Sequence, residues 1–227
     1  MDSVSSDAVN RYLKQTRELY GDEIFLESNP VSEQKDLQTN HLVFSADLNS
    51  FHEQIRKCQN CQLGQSRTNF VFGVGDPNAS LVLVGEAPGE QEDLKGEPFV
   101  GRAGQLLDKI LAAIDRSREK DVYICNVLKC RPPQNRDPQV DEIEECEPYL
   151  IHQINLIQPK LIVALGRVAG KTLLNVDNSL KSMRGILHNY HNTPLIVTYH
   201  PAALLRNPNW KPEAWKDFKW IRSMIDA

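Results

Sequence analysis

Four short stretches of the chain are apolar almost without interruption: LVLVG ending at Gly85, VYICNVL from Val122, LIVALG ending at Gly166 and PLIVTYH ending at His200. They are rich in β-branched residues and do not alternate with polar ones, which suits strands covered on both faces. Between them the apolar positions take a helical period. Leu106, Leu107, Ile110, Leu111 and Ile114 form one stripe, Ile143, Tyr149, Leu150, Ile154 and Ile157 a second, and Val168 to Leu174 a third. Asp137 followed by Pro138 reads as a cap and first-turn pair for the second of these helices. The alternation predicts an α/β domain of three layers, with helices on both sides of a parallel sheet.

In such a sheet, ligands lie beyond the carboxyl ends of the strands. Those ends are Gly85-Glu86, Cys125-Asn126, Gly166-Arg167 and Tyr199-His200, so the loop after Gly85, Asn126 and His200 are expected to share one crevice. That loop belongs to the stretch VGEAPGEQEDLKGEPFVGRAGQLLDKI, Val84 to Ile110, which carries two prolines, five glycines and a cluster of acids before its helix. Its glycines allow a backbone to come close to whatever is bound.

Charge changes the picture once it is divided along the chain. The 227 residues carry 26 basic and 30 acidic side chains, a formal net charge of -4, which by itself argues against an anionic partner. Residues 1–50 hold 4 of the basic and 9 of the acidic groups, leaving 22 and 21 in residues 51–227. The acidity belongs to the front end, read as an extension with one short helix through Ala8, Val9, Tyr12 and Leu13 and then a polar run. Residues 51–227 form the domain. No basic start precedes an apolar core, and no apolar run approaches the roughly 18 residues of a membrane span, so a cytoplasmic protein is expected.

GRVAGKT, Gly166 to Thr172, looks like a phosphate-binding loop, but three residues separate its glycines where that loop needs four. A helix start with solvated Arg167 and Lys171 is the better reading. The cysteines say more. KCQNCQLG places Cys58 and Cys61 in a CxxC pair, and Cys130 and Cys146 flank RPPQNRDPQVDEIEE. In a reducing compartment these four are candidates for a four-thiolate site holding zinc or an iron–sulfur cluster, and spacing does not choose between them. Cys125, inside a strand, reads as a core residue.

GEAPGEQED, GEPFVGRAGQLL, NVLKCRPPQNRDP with the later Cys146, and YHPAALLR occur in an order that resembles the iron–sulfur branch, family 4, of uracil-DNA glycosylases. The resemblance runs from about Phe51 to the C-terminus. It implies a central four-stranded parallel sheet and a [4Fe-4S] cluster on Cys58, Cys61, Cys130 and Cys146, one per chain. The activity it implies is excision of uracil from single- or double-stranded DNA, leaving an abasic site. The partner is then uracil-containing DNA, with no membrane, the chain acting as a monomer; replication or repair partners are not identifiable from sequence.

Carried onto this chain, the resemblance places Phe99 against the uracil face, Asn126 on its N3-H and O4 edge, and His200 as a donor toward O2. Main-chain N–H groups at Gly85, Glu86 and Ala87 share that task. Leu204 and Leu205 become a wedge filling the vacated stack, with Arg206 on nearby phosphate. Where the better-known branch of the superfamily has an Asp, this loop has Ala87, so the water-guiding group is not carried over. Glu92 is the candidate for orienting water or for screening the C5 position against thymine's methyl, with Glu86 and Asp93 behind it. A related branch traps DNA covalently through a histidine in an Arg-Arg-Ile-His loop; SMRGILH, Ser182 to His188, breaks that signature, so turnover is expected. Arg131, Arg136, Lys181, Arg184 and Lys211 are further candidates for DNA contact. The rival readings are a noncatalytic or covalently trapping iron–sulfur DNA-binding protein and a zinc hydrolase of small molecules.

Overall fold

The computed structural model describes residues 44–227. The helix expected through Ala8, Val9, Tyr12 and Leu13 lies outside the described residues. Of the expected extension, residues 44–50 are described: Phe44 packs edge-on to Phe51 at 5.0 Å between ring centroids. Asp47 caps helix α1 (Leu48–Ile55) by accepting the N–H groups of Asn49 and Ser50.

The four apolar runs form β2 (Leu81–Gly85), β3 (Val122–Asn126), β4 (Leu161–Leu165) and β6 (Thr193–Thr198). They pair parallel in the order β3-β2-β4-β6. The sheet is nevertheless mixed and six-stranded, wider than the four strands expected. β1 (Val74–Gly75) and β5 (His188–Tyr190) add antiparallel edges. At two and three residues these edges are too short to leave an apolar run. β5 reverses into β6 through His191 and Asn192, whose φ values of 46° and 68° are those of a two-residue hairpin turn.

Successive residues of each strand face opposite layers. Val82, Val84, Cys125, Ile162, Ala164 and Val197 pack with Phe51 of α1, with Leu150 and Ile154 of α5 (Val140–Ile157), and with Leu173 of α6 (Arg167–Leu174). Leu81, Leu83, Val122, Ile124, Val163 and Ile196 pack on the other side. They meet Leu107 and Leu111 of α4 (Arg102–Ala112) and Phe218 and Ile221 of α9 (Lys211–Ile225). These strand residues are fully buried, the Val, Leu and Ile side chains each contributing about 1.5–3 kcal/mol, which fixes the strand ends relative to one another.

Short helices carry the connections: α2 (Leu63–Ser66), α3 (Glu90–Lys95), α7 (Leu180–Met183) and α8 (Pro201–Arg206). One helix start differs from expectation. α5 begins at Val140, with Gln139 as its capping residue, rather than at Asp137-Pro138. The reason is Glu142, whose carboxylate reaches back to the Gln139 N–H at 2.9 Å and is held by both terminal nitrogens of Arg136. No helix among the described residues is long and apolar enough to cross a membrane.

Candidate active site

β2 and β3 end side by side at the paired residues Gly85 and Asn126. The chain leaving β3 stays on the loop after β2: Val127 N–H donates to the Gly85 carbonyl at 2.9 Å and Leu128 N–H to that of Glu86 at 3.0 Å. Asn126 is 2% exposed, yet its side-chain amide has no hydrogen-bond partner among the described residues. The amide is not sequestered from solvent, so it is free to meet a ligand at the end of the strand. It lies directly over Gly85, where a Cβ would collide with Oδ1 of Asn126 and come within 2.8 Å of the Phe99 ring.

Phe99 is buried and holds a left-handed backbone, φ 55°, unusual for a bulky residue. Three contacts keep it there. Arg118 donates to the carbonyls of Pro98 and Phe99 at 2.8 and 2.5 Å while its Nε meets Asp108 at 2.7 Å. The Phe99 carbonyl presses on Gly104, leaving no room for a side chain there. Oε1 of Glu92 accepts the N–H groups of Val100 and Gly101 at 3.0 and 3.3 Å. Glu92, expected to guide water, therefore spends one oxygen bracing the loop that carries Phe99. Asp93, a second candidate for water, is buried and pins α3 by accepting from Thr68 and Asn69.

The His200 ring stacks beside that of Phe99, 5.3 Å between centroids and 28° between planes. His200 closes β6 and caps α8, its Nδ1 accepting the Ala202 N–H at 3.1 Å. Burial, with Arg206 adding to it and Glu92 opposing, pulls its pKa down to about 4. A neutral imidazole that accepts at Nδ1 carries its proton on Nε2. Gly166, φ 101°, lets β4 end against this residue, since a Cβ there would sit 3.0 Å from Cβ of His200.

Glu86 is the first residue beyond β2 and is partly buried. Burial and the nearby Asp137 raise its pKa to about 7, against the pull of Arg167. Its carboxylate has no hydrogen-bond partner among the described residues. The main-chain N–H groups of Glu86 and Ala87 likewise have no protein acceptor there. The structure thus gathers Gly85, Glu86, Ala87, Phe99, Asn126 and His200 at one end of the sheet, with Glu92 behind them.

The expected wedge divides. Leu204 is 1% exposed and turned inward, whereas Leu205 is 36% exposed, followed by exposed Arg206. The inward turn of Leu204 follows from α8, whose two leucines occupy different faces of a six-residue helix. Among the basic candidates, Arg136 is committed to Glu142, and Arg184 to Asp217, with its guanidinium 4.2 Å above the Tyr199 ring. Arg131 lies 3.8 Å from Glu90, while Lys181, Arg206 and Lys211 are exposed with no ion pair among the described residues.

Cys58, Cys61, Cys130 and Cys146 line one pocket with Arg67 and Tyr149. Donors point at three of the sulfurs. Arg67 Nη1 lies 3.1 Å from Cys130 Sγ, the Tyr149 hydroxyl 3.3 Å from Cys58 Sγ, and Lys129 N–H 3.3 Å from Cys146 Sγ. Burial pushes the Cys146 thiol up to about 12 and raises that of Cys130, so these sulfurs need a bound cation to be thiolates. Among the described residues no group of three or more His, Cys, Asp or Glu closes on one metal-ion position. Cys125 lies in the core as expected. Sequence reasoning missed Arg118, and it missed Lys129, whose ammonium donates to the Asn126 carbonyl at 2.8 Å. Neither belongs to a spaced motif of reactive residues that would have marked it.

A family profile described as the uracil DNA glycosylase superfamily matches residues 72–219. Among curated relatives, the type-4 uracil-DNA glycosylase of Archaeoglobus fulgidus is 46% identical over 182 residues, covering 77% of this chain and 91% of that protein. That of Sulfurisphaera tokodaii is 46% identical over 185 residues, covering 78% and 84%. A type-5 uracil-DNA glycosylase of Pyrobaculum aerophilum is more distant, 30% identical over 146 residues, covering 57% and 64%.

Proposed function

The chain belongs to the uracil DNA glycosylase superfamily, in its type-4 branch, and from that premise we propose that it removes uracil from DNA by the following division of labour. A base in a duplex is out of reach of any pocket this deep. The nucleotide must be everted, at a cost of a few kcal/mol, and the exposed Leu205 is suited to fill the space it leaves, with Arg206 on the backbone.

The observation that carries the reading is the unpartnered amide of Asn126, which shares the Gly85 position with the ring of Phe99, itself stacked beside His200. An amide offers an acceptor to uracil N3-H and a donor to O4; cytosine presents the reverse pattern and leaves both groups unpaired. The 5.3 Å between the Phe99 and His200 rings is less than the roughly 7 Å needed to sandwich a base between them. The base therefore stacks on Phe99, and His200 meets it at its edge.

Breaking the N1–C1′ bond sends its electron pair onto the base, and much of that charge settles on O2. The neutral Nε2–H of His200 and the free N–H groups of Glu86 and Ala87 stabilise it there. Water then adds to the cation-like C1′. Glu86, with its raised pKa and unengaged carboxylate, takes the proton from that water in place of Glu92. The proton that Glu86 takes from the water returns through solvent to the departing base, so that one water is divided between neutral uracil and an abasic sugar. Nε2–H of His188 donates to the Met183 carbonyl, 2.8 Å away, and the ring is thus engaged within its own loop, which supports turnover over covalent capture.

Cys58, Cys61, Cys130 and Cys146 suit a [4Fe-4S] cluster. They surround a pocket rather than a single point, and N–H and O–H donors aimed at sulfur are the usual company of cluster thiolates. When bound, the cluster supplies a four-point crosslink and negative charge. Chromatography of the products from uracil-, cytosine- and thymine-containing DNA tests the proposal. Free uracil alone is expected; equal release of thymine, or none of any base, would sink it.

A further inference from the structure

Asn126 and Cys130 stand four positions apart, and one residue between them bonds at both sites, by its side chain at Asn126 and by its main-chain N–H at Cys146. Lys129 is 0% exposed. Its ammonium group donates to the Asn126 carbonyl at 2.8 Å and to Oε1 of Gln153 at 2.5 Å. Its own N–H donates to Cys146 Sγ at 3.3 Å, and its carbonyl accepts from Val71 N–H at 2.9 Å. Gln153, also 0% exposed, is fixed in turn by the Phe72 carbonyl at 3.0 Å and the Tyr123 hydroxyl at 3.3 Å. The anchor on the far side of the ammonium therefore does not yield.

A lysine this deep is costly unless its charge is answered and its donors are used. Among the described residues no carboxylate pairs with it, and its side-chain nitrogen is answered by two acceptors, the Asn126 carbonyl and Oε1 of Gln153. A methionine would fill the same space without that cost. What the lysine adds is a hydrogen-bond donor on a long stem, which holds a main-chain carbonyl at the point where β3 ends and the chain turns toward the cysteines.

We propose that Lys129 is a positioning residue that holds the backbone of Asn126 and ties it to the four-cysteine site, so that the aim of the uracil-reading amide depends on that site. This rests on the reading of Asn126 given above. It assigns the cysteine site a part in recognition as well as in stability, through a residue that never touches the base.

Lys129→Met removes the donor and keeps the stem. Iron and sulfide per chain and affinity for abasic-site DNA should stay at wild-type values, while inhibition by free uracil weakens about tenfold and kcat/KM for uracil release falls about tenfold or more. In an Asn126→Ala background the same substitution should change kcat/KM less than about twofold, because nothing remains to be positioned. Should Lys129→Met lose iron or fail to fold, Gln153→Met, which frees the ammonium from its other anchor, is expected to weaken uracil inhibition in the same direction. Wild-type inhibition by uracil in whichever variant folds with its iron, or effects of Lys129→Met and Asn126→Ala that multiply, would overturn the inference. A wild-type enzyme that releases no uracil would instead overturn the functional reading on which it stands.

Discussion

Nδ1 of His200 accepts the main-chain N–H of Ala202 at 3.1 Å, and this bond decides which ring nitrogen carries the proton. The donor left for the substrate is Nε2–H of a neutral ring. With its pKa drawn down to about 4 by burial, the ring should stay neutral at every pH where the enzyme works. Nitrogen NMR of labelled protein is expected to show the Nε2–H tautomer unchanged between pH 8 and about 5. A folded-state pKa below the free value means the unfolded chain binds more protons in that window. This residue therefore favours folding above about 6.5 and loses that contribution as pH falls toward 4.

Glu86 should set the acid limb of the activity profile. Its pKa of about 7 means that the water-activating form is lost below neutrality, so kcat/KM should fall about tenfold per pH unit below 7 and level off above it. Glu86→Gln should remove that inflection along with about 10² to 10⁴ of the rate. The sign for stability is opposite to that of His200. A carboxyl raised in the folded state favours folding when protonated, and this contribution fades as pH rises from 4.5 to 7. Glu86→Gln should accordingly melt higher than wild type at pH 8, with the gap closing at pH 5.

Gly85 and Gly104 are expected to be intolerant for different reasons. Gly85→Ala drives a methyl into the Asn126 amide and the Phe99 ring, so base recognition should fail, with kcat/KM down about 10²-fold and the fold kept. Gly104→Ala meets the Phe99 carbonyl, which Arg118 holds in place, and should lower stability by about 1–3 kcal/mol as well. Denaturant titration beside kinetics separates the two cases.

The protein purified without oxygen should be brown and hold four irons per chain. Replacing Cys58 or Cys146 by serine should bleach it and lower its melting temperature, because the crosslink between the chain before β2 and α5 is lost. A colourless protein with one zinc per chain would contradict the cluster assignment.

The sequence made the four inner strands plain because burial on both faces leaves nothing but apolar residues in them. The edges β1 and β5 were hidden because Val74–Gly75 and His188–Tyr190 have no such face to declare. The strand ends located Gly85, Asn126 and His200, since topology alone puts ligands there. The acids of the first loop were another matter. Glu86, Glu92 and Asp93 differ only in which N–H groups come within reach after folding, and that is set by Val100, Gly101, Thr68 and Asn69. Lys129 was illegible for a like reason: a lysine between Leu128 and Cys130 reads as solvated until its stem is seen to run inward.

The central claim is that Asn126 and His200 act on one everted uracil. The direct test is a single-turnover reaction on an oligonucleotide with one uracil, cut by hot alkali at any abasic site and sized on a gel, with wild type beside Asn126→Ala and His200→Ala. The wild type is expected to cut at the uracil alone, and each variant to be slower by about 10²-fold or more with DNA affinity kept. Variants that cut as fast as the wild type, or a wild type that leaves the strand whole, would contradict the claim.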